Sequence, residues 1–121
     1  MTTEEKQLLL KDLCGRLPYG VVLRCTDSDT DYKCLLTTDI LHEIQNGYEY
    51  YDYKPYLRPM SSMTEEEENE LTGIAVLGGY NNSVFNSFVV VDWLDKKGFD
   101  YRGLIPMGLA LEAPEGMYKE K

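Results

Sequence analysis

Three aspartates at alternate positions, Asp27, Asp29 and Asp31, are the sharpest chemical feature of this 121-residue chain. Alternate carboxylates on a loop can converge oxygens on a hard cation such as Ca²⁺. The helix-loop-helix calcium motif would need Gly where Tyr32 stands and a bidentate Glu where Thr38 stands. Both are missing, and the flanks are β-rich. The favoured reading is a solvated hairpin tip, with Asp27, Asp29 and Asp31 kept as a candidate metal-binding or hydrolytic site.

The thiols and the single imidazole come next. If residues 28–31 form the hairpin loop, Cys25 faces Cys34, and directly opposed strand residues reach each other's side chains. Together with His42 they would offer three metal ligands, or the two thiols a regulatory disulfide, yet no Cys-x-x-Cys spacing is present. The simpler reading is two reduced, small apolar side chains packed together. Cys14, next to Leu13, reads as a core residue. His42 is the only histidine, so any His-dependent nucleophilic mechanism must use it. No Gly-x-Ser-x-Gly elbow occurs, and Gly78-Gly79 lacks the Lys of a phosphate-cradling loop. No catalytic constellation emerges, and nothing in the residues calls for a cofactor.

Tyr48, Tyr50, Tyr51, Tyr53 and Tyr56 crowd nine residues. Amphipathic rings suit recognition surfaces, which makes Tyr48, Tyr50, Tyr51 and Tyr53 a candidate binding face. The interleaved Glu49 and Asp52 repel phosphates, so base stacking is disfavoured. Ordinary β-propensity with core filling is the competing structural reading. Asp100 and Arg102 bracket Tyr101. Asp100 is expected to cap the following turn, and Arg102 to anchor the tail to an acidic neighbour.

These groups must be positioned by a small set of elements. Thr2 with Glu5 forms a capping pattern, and Leu9, Leu10, Leu13 and Leu17 recur at helical spacing, so a helix is expected over 3–16. A β-rich run over 21–26, a polar turn, and a returning strand from Tyr32 to Thr38 follow. Leu36, Thr38, Ile40, His42 and Ile44 alternate, which would carry that strand to Gln45. Asn46-Gly47 would then turn it into an arm over 48–53. A short helix over 40–45 is the alternative. Ser62 with Glu65 and Thr64 with Glu67 start an acidic helix that Gly73 could stop, with a brief strand at 74–77. Asn86 or Ser87 is placed to cap a helix running to Lys97, with Gly98 as its left-handed terminus, although Val89–Val91 also suits a strand. The glycines and prolines after Phe99 leave room for one helical turn.

Two strings, Lys54-Pro55-Tyr56-Leu57-Arg58-Pro59-Met60-Ser61-Ser62-Met63-Thr64-Glu65-Glu66 and Phe99-Asp100-Tyr101-Arg102-Gly103-Leu104-Ile105-Pro106-Met107-Gly108-Leu109-Ala110, together with Asp12-Leu13-Cys14-Gly15-Arg16-Leu17-Pro18-Tyr19-Gly20, resemble a family of small uncharacterised proteins of Bacteroides-type gut bacteria and their phages. The hairpin region is less alike. The resemblance implies a cytoplasmic protein of mobile-element or phage origin and brings no activity with it.

Composition bounds the rest. Twelve Lys and Arg against 21 Asp and Glu leave a net charge of −9, while 43% of residues are hydrophobic. That apolar share suits one folded domain over 1–121 rather than a disordered chain. The charge disfavours direct nucleic-acid binding and an anionic membrane surface. The longest apolar runs are too short to span a bilayer. Three cysteines without ordered spacing fit a reducing, cytoplasmic setting. Eight of the 21 acids fall at 27, 29, 31, 65–68 and 70, so the remainder of the chain is nearly neutral and has room for a modest basic patch. The expected fold is α+β: a small antiparallel sheet, with barrel-like closure left open, and N- and C-terminal helices packed on it. The expected function is a non-enzymatic interaction module with an unidentified protein partner. An acidic inhibitor imitating nucleic-acid charge, or a metal-dependent hydrolytic site at the aspartates, are the alternatives.

Overall fold

The computed structural model describes residues 2–26, 30–46, 52–77 and 83–118. Helix α1 spans Thr3–Arg16 and begins as its residues dictate. The Glu5 amide donates to Thr2 Oγ1 at 3.0 Å, and the Thr2 amide donates to Glu5 Oε1 at 2.8 Å. This satisfies two amides that a helix start otherwise leaves orphaned. Leu9 and Leu13 bury one stripe of the helix. Pro18 then tightens the chain into a single 3₁₀ turn, and Gly20 (φ 79°) directs it into the sheet.

Strands β1 (Val22–Thr26), β2 (Asp31–Leu35) and β3 (Asp52–Pro59) make an antiparallel trio in the order β2-β1-β3. Strands β4 (Phe99–Asp100) and β5 (Leu111–Glu112) both add in parallel to the C-terminal half of β3. The fold is α+β, as its residue pattern indicates, but the sheet is mixed and is not closed as a barrel.

Residues 38–46 overturn one expectation. Thr38–Asn46 forms helix α2, not a continuation of β2. Ile40, Leu41 and Ile44 satisfy helical spacing as well as Ile40 and Ile44 satisfy alternation. The helix wins because it lays all three against the Leu9–Leu13 stripe and the sheet. Thr37 assists by accepting the Ile40 amide at 3.2 Å. With a helix leading into Asn46-Gly47, the hairpin expected there does not form from two strands. Gly47, Tyr48, Tyr50 and Tyr51 lie outside the described residues.

Helix α3 (Glu65–Leu77) runs straight through Gly73, so the strand expected at 74–77 is absent. Its start is the Thr64–Glu67 capping box, with both reciprocal bonds present at 3.0 and 3.2 Å. The Ser62 hydroxyl instead donates to the Pro59 carbonyl. Helix α4 spans Ser83–Lys97 and absorbs Val89–Val91, because Val90, Trp93 and Leu94 share its packed face. It ends at Gly98 (φ 82°), where a side chain would strike the Tyr118 ring at 2.9 Å.

Two apolar clusters result. One joins α1, α2, the inner sheet face and the tail through Leu9, Leu13, Leu23, Leu57 and Leu104. The other joins α3, α4 and β4 through Trp93, Leu94 and Phe99, with the Trp93 and Phe99 rings stacked at 5.8 Å.

Candidate functional site

Asp31 opens β2, exposed and opposite Thr26, while Asp27 and Asp29 lie outside the described residues. Among the described residues no group of three His, Cys, Asp or Glu side chains is placed to hold a metal ion. His42 is exposed on α2, whereas Cys25 is buried on the inner sheet face. The hairpin register differs from the expected one by two residues: Cys25 faces Tyr32, and Cys34 faces Leu23. The two thiols therefore share a face diagonally, both reduced, and burial raises the Cys34 thiol above its ordinary range. Cys14 is exposed rather than in the core. Tyr53 points inward, packs on the main core and donates its hydroxyl to Glu43. Burial and that bond hold its phenol above the usual range. Of the four tyrosines expected on a binding face, the one described is a core residue.

A cavity of about 310 Å³ opens between the start of α1, the start of β3 and the tail. Its charged lining is Glu5, Asp52 and Lys54, and Glu5 is already committed to capping α1. No nucleophile–base pair lines it.

The most densely wired charges lie elsewhere, where α1, α4 and the tail meet. Asp12 and Arg16, one helical turn apart, are both fully buried. Arg16 donates through Nε and Nη2 to both carboxylate oxygens of Asp12, at 2.7 and 3.1 Å, and through Nη2 to the Phe99 carbonyl at 2.6 Å. Arg102 Nε reaches Asp12 Oδ1 at 3.1 Å, which is the acidic anchor expected for it. Tyr101 donates to Asp95 Oδ1 at 2.7 Å and receives both guanidinium groups within 5.2 Å of its ring centroid. Burial raises the Asp95 carboxyl, and burial with the Asp95 bond pushes the Tyr101 phenol up to about 12. Two carboxylates meet two guanidinium groups, so the group is neutral, and of its buried atoms Arg16 Nη1 is left without a hydrogen-bond partner. Asp100, as expected, caps the following turn by accepting the Leu104 and Ile105 amides, each at 2.9 Å. This junction is structural.

The outer sheet face is organised differently. The register places Arg24 opposite Lys33 on one side and opposite Lys54 on the other. Three cations therefore stand side by side across three strands, an arrangement in which like charges repel. Among the described residues none of the three is within ion-pair distance of a carboxylate. Arg24 Nε is buried without a hydrogen-bond partner, and the Lys33 ammonium lies 5.5 Å from the Tyr56 ring centroid. The flanking rows on this face are Asp31–Thr26–Asp52 on one side and Leu35–Val22 on the other. Leu35 is 59% exposed.

β2 is also an edge: among the described residues no strand pairs with its outer side. The Leu36 amide donates to the Val21 carbonyl at 2.8 Å. Amides alternate along an antiparallel strand, so those of Cys34 and Tyr32 also point to β1, and those of Lys33 and Leu35 point outward. Pro55 fits the same phase. It sits opposite Leu23 on β3, at a position whose amide direction faces away from β1.

The residues of this surface, Arg24, Lys33, Lys54 and Leu35, are not singled out by spacing. The two-residue register difference explains it: with Cys25 facing Cys34, Arg24 would face Leu35 and the cation row would not exist. The excess of acids in two places, leaving the rest nearly neutral, is the signal that points to it. Comparison with protein-family models, curated proteins and solved structures finds no match to this chain. No helix among the described residues is long and apolar enough to cross a membrane.

Proposed function

We propose that this chain is a non-enzymatic interaction module that docks an extended segment of a partner protein along the outer edge of β2. The observation that carries this reading is the edge itself. The Lys33 and Leu35 backbone groups point away from β1, and Leu35 stands 59% exposed beside them. Unpaired edges recruit extended segments, with main-chain bonds supplying affinity and alternate side chains supplying choice. A nucleic-acid charge mimic is less well supported, because it needs carboxylates spread over a face and this sheet face presents cations.

The test compares wild type with Leu35→Pro as baits in native lysate at low and high salt. Proline at this position removes an outward amide and the exposed leucine side chain together, and leaves the bonds to β1 in place. A protein retained by wild type and lost by Leu35→Pro at both salts is the expected result. Identical retention by the two baits sinks the proposal.

A further inference from the structure

We infer that the docked segment presents a carboxylate opposite Lys33 and an apolar side chain opposite Leu35, and this rests on the edge-docking reading above. Side chains two residues apart on a strand share a face, and an added strand places its own in register with those of the edge. On the outer face the edge offers Asp31, Lys33 and Leu35 in that order. The position next to Lys33 lies at the end of the Lys33–Arg24–Lys54 row, whose mutual repulsion a carboxylate relieves. The Lys33 ammonium rests over Tyr56, an interaction weak enough at an exposed site for a carboxylate to displace. The next position along meets the exposed Leu35, where an apolar group removes its surface from water. An antiparallel segment thus reads apolar-x-acidic from its N-terminus, and a parallel one reads acidic-x-apolar.

Two other occupants fit the surface less well. A nucleic-acid strand would carry its phosphates past Asp31 and Asp52, which border the cations, on a chain of net charge −9. A second copy paired over all five residues of β2 sets Lys33 against Lys33 and Asp31 against Leu35. Neither pairing is favourable.

The experiment pans a phage-displayed library of random decapeptides on the immobilised full chain, on Lys33→Glu and on Leu35→Pro. The wild type is expected to enrich an apolar residue two positions from Asp or Glu, and Lys33→Glu to enrich Lys or Arg in place of the acid. The best wild-type peptide, measured by fluorescence anisotropy, should bind Lys33→Glu about fivefold more weakly, with affinity restored when its carboxylate is replaced by lysine. Lys33→Glu leaves the backbone unchanged, so this readout stands whether or not the proline variant folds. A wild-type motif without an acid, or one unmoved by Lys33→Glu, overturns the inferred chemistry while edge docking stands. A motif recovered equally on a folded Leu35→Pro overturns edge docking itself, and a library that enriches nothing on wild type overturns both. A β2-mediated dimer seen by sedimentation, abolished by Leu35→Pro, would replace the inferred segment with a second copy.

Discussion

Asp12, Arg16, Asp95 and Arg102 bring opposite charges together out of water, each carboxylate in reach of a guanidinium or a phenol. Arg24, Lys33 and Lys54 bring like charges together at the surface, with no carboxylate in ion-pair reach among the described residues. The first group lies where α1 meets the end of α4 and the tail, and its opposite charges pair with one another, with Arg16 Nη1 left buried and without a partner. The second lies on one sheet and leaves its electrostatic demand open. A paired group helps hold a fold together, whereas an unpaired row leaves its charge to the surroundings. The difference between the two regions separates what holds this molecule together from what it can offer outward.

The contrast is broken most forcefully in the paired group. Asp12→Ala strands a fully buried Arg16, and removing one partner of a buried pair costs about 3–5 kcal/mol. Urea denaturation should register that loss, and a change below about 1 kcal/mol would show that the network is not structural.

The Arg58–Glu67 pair stands between the two extremes. Its guanidinium donates to both Glu67 oxygens at 2.7 Å and lies 4.1 Å from the Phe99 ring centroid. Arg58→Met should lose about 1–2 kcal/mol, detectable in the same assay. The pair also sets an acid limb. Hydrogen bonds from Arg58 lower the Glu67 carboxyl from 4.5 to about 2. A depressed carboxyl contributes stability that is full above its unfolded value and is lost as pH falls toward the folded one. Wild-type stability should therefore decline between about pH 4.5 and 2 in a component that is smaller in Arg58→Met, where only the Thr64 bonds remain to lower the carboxyl. Parallel pH profiles for the two proteins would contradict this.

The open row should behave in the opposite sense. Lys33→Glu places an acid opposite Arg24 and is expected to leave stability unchanged or raise it by about 0.2–1 kcal/mol. A loss above that size would mean the row is already neutralised within the chain. Smallest of all is the salt effect: the gap between wild type and Lys33→Glu should shrink as added salt screens the exposed charges.

Local chemistry was readable where a few adjacent residues decide the outcome. Thr2 with Glu5 and Thr64 with Glu67 mark two helix starts, Gly98 marks an end, and Asp100 caps its turn. Competition between periods defeated the reading of 38–46, because the same isoleucines suit a strand or a helix and only the surface of α1 decides. Gly73 did not stop α3, since apolar contacts of Leu71 and Ile74 with the Trp93 cluster outweigh one glycine's cost. The surface row was hidden for a geometric reason: hairpin register sets which residues are neighbours, and a shift of two pairs Arg24 with leucine instead of lysine. In the buried group, Asp12 and Arg16 are visible as a helical i, i+4 pair, but Asp95 and Arg102 join them from the far end of the sequence. Spacing along the chain carries no trace of that meeting.

Amide hydrogen exchange resolved residue by residue over β2 tests the central claim most directly. Protected Cys34 and Leu36 amides are expected to alternate with rapidly exchanging Lys33 and Leu35 amides in the unbound protein, and the latter two to gain protection when an apolar-x-acidic peptide is added. Protection of Lys33 and Leu35 in the unbound monomer would show the edge already occupied and rule out docking there.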